Sequence, residues 1–194
     1  MSHNNSIYFW YWKKEIPHET CQKLINLGEG KWNQATTFKT RSEKNPSADV
    51  RKSDVVWINE KWVYDLIYNY LIAANDMGEW KYNISGAEDC QVTRYTKDGY
   101  YSWHMDGIGS HKEAFNYPGN KSLHGNVRKL SMTIILNSDF EGGDFEIRRC
   151  NEQIPKLEEG TVIVFPSFLE HRVAPVTEGI RYSLVSWFIG PPFV

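Results

Sequence analysis

The sequence predicts a mainly β protein, a sandwich or jelly roll with flanking helices on its outside. Three observations carry that expectation. From residue 80 onward the chain breaks into seven short β-like runs, "WKYNI", "CQVTRYT", "YYSWHMD", "RKLSMTIIL", "GDFEIR", "TVIVF" and "RYSLVSWFI". They are rich in the β-branched and aromatic residues that fit a pleated surface. Turn signals divide them at Lys97-Asp98-Gly99, Glu141-Gly142-Gly143, Glu158-Glu159-Gly160 and Glu178-Gly179. Helical periodicity, by contrast, is confined to the N-terminal part, the arrangement expected when helices pack on a β core.

Taken in order, "IYFWYW" at 7–12 is short, aromatic and β-prone, and reads as a buried strand. "PHETCQKLINLGEG" follows as a helix, with Pro17 at its start, Cys21, Leu24 and Ile25 apolar, and glycines at its end. The polar stretch "ATTFKTRSEKNPSAD" reads as an exposed loop. The clearest helix spans 60–77, where Trp62, Val63, Leu66, Ile67, Tyr70, Leu71 and Ala74 recur as one stripe and Gly78 is placed to cap it. Residues 107–127, "GIGSHKEAFNYPGNKSLHGNV", interrupt the strand rhythm with a loop long enough to suggest a function. This segment and residues 35–54 are read as substrate covers, too poor in apolar side chains to hold themselves folded. No internal repeat divides the chain, so residues 1–194 are read as one domain, with 1–79 supporting an 80–194 core.

The 194 residues are 41% hydrophobic and include eight Trp, eleven Tyr and nine Phe, a composition suited to a packed globular core. A formal charge of −2 gives no electrostatic reason to expect nucleic acid or an anionic membrane as partner. Cys21, Cys90 and Cys150 are scattered without metal-type spacing, which suits a reducing compartment. The apolar run at 7–12 is too short for a signal-peptide core or a membrane span, and the expected location is cytoplasmic.

"YYSWHMDG" at 100–107 raises the chemical question. If the run is a strand, His104 and Asp106 point to one face, with Met105 opposite. Two histidines and a carboxylate on one face of a metal are what a non-haem iron oxygenase needs. The third ligand must come from a distant strand, and the candidate is His171, which follows "GTVIVF" and Pro166. On the last β-like run Arg181, Ser183, Val185 and Trp187 would share a face. A guanidinium on so apolar a strand is costly to bury unless a carboxylate pairs with it. A dicarboxylic cosubstrate, chelating iron at one end and meeting Arg181 at the other, satisfies that need. His-x-Asp alone occurs often by chance; the ordered set is far harder to obtain.

"QVTRYTKDGYYSWHMD", "RKLSMTIILN", "FEGGDFEI" and "GTVIVFPSFLEHRVAPVTEGIRYSLVSWF" resemble the prolyl 4-hydroxylase group of iron(II)- and 2-oxoglutarate-dependent dioxygenases. "VRKSDVVWI" at 50–58 is similar to the strand that opens the catalytic region in the oxygen-sensing members. The resemblance implies a double-stranded β-helix fold and assigns His104, Asp106 and His171 to iron. It implies that Arg181 holds the far carboxylate of 2-oxoglutarate, that the Tyr95 hydroxyl reaches the same molecule, and that Arg128 and Trp187 line the substrate side. One departure is Ile135, where the oxygen-sensing branch carries a tyrosine, so Arg181 is expected to lean more on Tyr95. Competing readings make Tyr95 and Trp187 plain core, Arg128 a solvated arginine at the mouth of its strand, and Arg148-Arg149 an exposed edge. His111 and His124 read as solvated loop residues, with a second metal site as the other reading, and Phe145 as a barrel residue beside the cosubstrate.

The implied reaction consumes dioxygen and 2-oxoglutarate and hydroxylates an unactivated C–H bond, with ascorbate (vitamin C) as a candidate reductant for stray ferric iron. A proline-containing polypeptide is the substrate the resemblance suggests, ahead of another peptidyl side chain or a small molecule. A zinc hydrolase or cupin-type isomerase would use the same ligands but leave Arg181 without a task. A non-catalytic peptide-binding jelly roll is the reading outside enzymes.

Overall fold

The fold is organised around its last strand. In the computed structural model, which describes residues 8–36, 50–107, 113–148, 154 and 156–194, "RYSLVSWFIG" forms the ten-residue β14 (Arg181–Gly190). It pairs antiparallel with β8 (Val127–Ile135) on one side and β6 (Cys90–Tyr95) on the other. Outward from these lie β11 (Val162–Pro166) and β1 (Trp10–Trp12) on the β8 side, and β4 (Asp54–Ile58) and β2 (Asn33–Gln34) on the β6 side. The short β5 (Gly86–Ala87) adds to the far end of β14. A second sheet runs β10 (Phe145–Ile147), β12 (His171–Val173), β7 (Tyr100–His104) and β3 (Arg51–Lys52), and a ribbon pairs β9 (Phe140–Gly142) with β13 (Val176–Gly179). Every pairing is antiparallel, the jelly-roll class expected from the strand pattern.

Alternation along each strand divides the interior into two cores. On β8, Leu130, Met132 and Ile134 join the cluster beneath the helices, whereas Ile135 joins the cluster on the other side. β11 divides in the same way, Val162 and Val164 against Ile163 and Phe165. Helix α1 (His18–Asn26) contributes Cys21, Leu24 and Ile25 to the first cluster, and α2 (Lys61–Met77) contributes Val63, Ile67, Leu71 and Ala74. That is the predicted stripe narrowed to its centre; Trp62, Leu66 and Tyr70 pack along its edges half-buried. Burying such a stripe stabilises a helix more than its propensity does. Gly78 caps α2, its N–H donating to Ala74 O. The position is reserved for glycine by space: a Cβ there would lie 2.9 Å from both Ala74 O and the Trp80 ring.

Several expectations need correction. "WKYNI" is not a strand. Glu79 and Lys81 take positive φ values of 55° and 51°, which breaks an extended path, and the Asn75 side chain ties Tyr82 back to α2 through both its N–H and its carbonyl. The strands β9, β12 and β13 arise where only turns and an irregular connection were expected. Residues 50–54 are not exposed loop: they enter β3 and β4, and Arg51 and Ser53 are buried. Residues 37–49 and 108–112, with His111, lie outside the described residues, as do Ile7, Arg149 and Cys150. Residues 113–126 hold themselves together, against expectation. Phe115 is buried, its N–H donates to Asn126 O, and Asn120 Oδ1 accepts from the N–H groups of Ser122 and Leu123. Among the described residues no helix is long and apolar enough to cross a membrane.

Candidate metal centre

Strands β7 and β12 are neighbours, and their register sets His104 directly opposite His171. Both histidines lie on the inner face of the small sheet, their rings 4.2 Å apart between centroids. The chain leaves β7 after His104, and the Asp106 N–H donates to Ser167 O at 2.9 Å, which turns the carboxylate inward. One ligand atom from each of the three residues lies within 4.8 Å of the others. His104 Nε2 is 3.7 Å from Asp106 Oδ1, and His171 Nε2 is 3.5 Å from Asp106 Oδ2.

The second nitrogen of each ring fixes what the first can do. His104 Nδ1 lies 2.7 Å from Ser102 O and His171 Nδ1 lies 2.9 Å from Leu169 O. A carbonyl only accepts, so each Nδ1 carries the proton and each Nε2 presents a lone pair to the centre. Burial pushes the His104 imidazole down to about 3, with His171 adding to the effect. Burial alone would raise the Asp106 carboxyl, but His171, His104, Arg128 and the Ser131 hydroxyl together hold it down at about 2. Nε2 lone pairs beside an ionised carboxylate are what a divalent cation takes.

Ser131 and Ser167 form a shell behind the carboxylate. Ser131 Oγ donates to Asp106 Oδ2 at 2.7 Å and lies 2.9 Å from Ser167 Oγ, which must therefore donate to it. Tyr101 stacks on the His104 ring, and Phe165 meets His171 edge-on at 4.7 Å.

The cavity that holds these ligands is lined by Arg181 as well. Its side chain is among the most buried in the protein, at 1% exposure. Nη1 donates to Ser183 Oγ at 3.2 Å, Nε has no partner, and no carboxylate among the described residues pairs with it. Burial pulls the guanidinium below its usual range, with Tyr95 and Asp144 opposing. Arg181 and Tyr95 are register partners, and the guanidinium lies 5.5 Å from the Tyr95 ring centroid. Gly143 makes room: at φ +64° a Cβ there would stand 2.8 Å from Arg181 Cδ. A buried cation with an orphaned N–H fits an incoming carboxylate, so these residues suit a dicarboxylate bridging metal and guanidinium.

Of the other predicted residues, Trp187 and Phe145 line this cavity, and exposed His124 stands apart from it. Arg128 requires a correction to the solvated reading. It is buried, bound by Glu88 through Nε and Nη2 at 2.6 and 2.8 Å, and its guanidinium carbon lies over the Trp187 ring at 4.1 Å. Arg148 matches its exposed-edge reading, paired with Glu170 and resting over Trp103. Sequence reasoning missed Ser131, Ser167, Tyr101, Glu88 and a second buried arginine on the cavity wall, Arg51, which donates to Ser53 and Gln91. The polar residues Ser131 and Thr133, alternating with Leu130, Met132 and Ile134, were the available signal for a polar inner face on β8.

The family model of the 2OG-Fe(II) oxygenase superfamily matches residues 90–189. A PKHD-type hydroxylase of Synechococcus sp. (strain CC9311) is 34% identical over 99 residues, covering 50% of this chain and 39% of that protein. A PKHD-type hydroxylase of Idiomarina loihiensis is 35% identical over 100 residues, with the same coverage of 50% and 39%. The match thus spans about two fifths of the length of these relatives. Among solved structures, a viral collagen prolyl hydroxylase from Paramecium Bursaria Chlorella virus-1, in its 2OG complex, superposes with a TM-score of 0.68 at 20% identity, over 94% of this chain and 96% of that one. A prolyl hydroxylase from Trichoplax adhaerens, in complex with a hypoxia inducible factor peptide fragment, gives 0.64 at 18% identity, over 95% and 84%. At these identities the superpositions speak to the fold.

Proposed function

This chain belongs to the 2OG-Fe(II) oxygenase superfamily, and from that premise we propose that it hydroxylates an unactivated C–H bond of peptidyl proline. One observation carries the reading: a His104, Asp106, His171 ligand set shares its cavity with Arg181, a buried guanidinium with an orphaned nitrogen. His104 Nε2, His171 Nε2 and Asp106 would hold iron(II), and Arg181, with Tyr95 beside it, would hold the far carboxylate of 2-oxoglutarate. Bound there, the metal supplies activation of dioxygen coupled to oxidative decarboxylation of 2-oxoglutarate, which leaves succinate and carbon dioxide with the hydroxylated product.

The chain's own residues provide orientation and a dry setting. The carbonyls of Ser102 and Leu169 fix both imidazole tautomers, and Ser167 through Ser131 fixes the carboxylate. Tyr101 and Phe165 pack against the two imidazoles and exclude water from them. Trp187 offers an aromatic wall to a prolyl ring, with Arg128 behind it. The Trichoplax adhaerens prolyl hydroxylase of similar fold is in complex with a peptide fragment, which supports a polypeptide substrate. Residues 1–79 and 80–194 act together as one catalytic unit, since the cluster beneath the helices draws on α1, α2 and the strands of the large sheet.

The test is mass spectrometry of proline-containing peptides incubated with protein, iron(II), 2-oxoglutarate, ascorbate and air. Gain of one oxygen on proline, with stoichiometric succinate, is the expected result. Succinate formation with oxygen on another side chain moves the substrate assignment; no 2-oxoglutarate turnover with any peptide or small molecule overturns the activity.

A further inference from the structure

The wall between the metal cavity and the neighbouring surface hollow is built on an ion pair. Trp187 lines the cavity, and Arg128 lies over its ring at 4.1 Å. Arg128 also lies 5.8 Å from the Phe115 ring, and Phe115 lines a hollow of about 390 Å³ together with Tyr117, Pro118, Leu123 and Glu88. Glu88 grips the guanidinium with both carboxylate oxygens, and the two side chains are only 6% and 10% exposed. Glu88 follows the short β5, and its N–H donates to Trp187 O at 2.9 Å, so the carboxylate is anchored to the strand that carries the tryptophan.

We infer that Glu88 is a specificity-determining residue: by neutralising Arg128 it makes this wall select an uncharged substrate segment beside the reacting residue. An unpaired guanidinium over an indole that lines the cavity would otherwise attract acidic side chains through charge-assisted hydrogen bonds. With Glu88 present, the Nε–Nη2 edge is filled and the charge is balanced, so a second carboxylate would meet like charge. Burial would pull the guanidinium down, but Glu88 outweighs it and holds Arg128 above its usual range. What remains for the substrate is the apolar surface of Trp187 on one side and of Phe115 and Tyr117 on the other. The inference deepens the polypeptide reading above and rests on it for the identity of the ligand.

The test compares wild type with Glu88→Gln, Glu88→Asp and the double variant Glu88→Gln/Arg128→Met. Two proline-containing peptides, one with alanine and one with aspartate beside the proline, are titrated calorimetrically into protein loaded with zinc(II) and 2-oxoglutarate, so that binding is read without turnover. Glu88→Gln should shift the ratio of the two affinities toward the aspartate peptide by about tenfold or more. Glu88→Asp and the double variant, both charge-balanced, should keep the wild-type ratio. An unchanged ratio in Glu88→Gln overturns the inference; if that variant does not fold, a shifted ratio in the double variant overturns it. A second arm needs no peptide. Acetate is titrated into isotope-labelled protein and read at the Trp187 indole signal, assigned with Trp187→Phe. Glu88→Gln should bind acetate about tenfold more tightly than wild type, and equal affinities overturn the inference. Acetate binding gained in Glu88→Gln, with neither peptide bound by any variant, supports the role of Glu88 and removes the polypeptide reading.

Discussion

Arg181 and Arg128 are both buried and both lie close to the candidate metal centre, yet the chain treats them in opposite ways. Arg128, over the cavity residue Trp187, has its charge cancelled by Glu88 in a two-point pair. Arg181, on the cavity wall, has one hydroxyl partner and an orphaned Nε. A buried ion pair is a satisfied piece of structure, whereas a buried cation without a carboxylate is an unfinished one. The difference teaches where a ligand's charge is expected: at the Arg181 end and not at the Arg128 end.

The largest effect tests the centre that both ends share. His104→Ala, Asp106→Ala and His171→Ala should each abolish stoichiometric iron(II) binding in an anaerobic titration, while exposed His124→Ala should retain it. Iron retained by His171→Ala would remove the centre around which the two arginines are compared. Next comes stability, where the arginines should part company. Arg128→Met leaves the Glu88 carboxylate buried and unpaired, and should cost about 3–5 kcal/mol in urea denaturation of the metal-free protein. Arg181→Met removes a buried cation that has no carboxylate to strand, and should leave that stability unchanged or raised. Equal losses from both would break the contrast.

Ligand binding sharpens it from the other direction. Arg181→Ala should weaken 2-oxoglutarate binding by about 2–5 kcal/mol, tens to thousands of fold, with iron retained. Arg181→Lys should be milder, since the charge survives and only the fork is lost. An unchanged 2-oxoglutarate requirement in Arg181→Ala would leave the orphaned guanidinium without its proposed ligand. The smallest effect concerns the carboxylate between the two arginines. Ser131→Ala removes the hydroxyl donated to Asp106 and should lower metal affinity about 10- to 100-fold. Unaltered affinity would mean that the backbone bond to Ser167 orients Asp106 by itself.

Much of the site was legible because it follows from local periods. His104 and Asp106 stand two apart at the end of a strand, and Arg181, Ser183, Val185 and Trp187 share a face of β14, all lining one cavity. The stripe of α2 was readable for the same reason. Illegible pieces were those set by distant partners. Ser131 is 25 positions from Asp106, and Gln91 is 40 from Arg51. The short strands β12 and β13 have too few residues to establish an alternation, and pairing alone defines them.

Arg128 separates the two kinds of information most clearly. Strict alternation along β8 would put it on the face of Leu130, beneath the helices. A register shift between Phe188 and Ile189 interrupts the β8–β14 pairing there, and Arg128 comes to lie over Trp187 instead. The sequence by itself determined which side chains could share a face, and that a cation on the apolar β14 strand would need a counter-charge. Only the tertiary structure decided which arginine already has one, because Glu88 and Arg128 are 40 residues apart and no short-range repeat links a carboxylate to the guanidinium it neutralises.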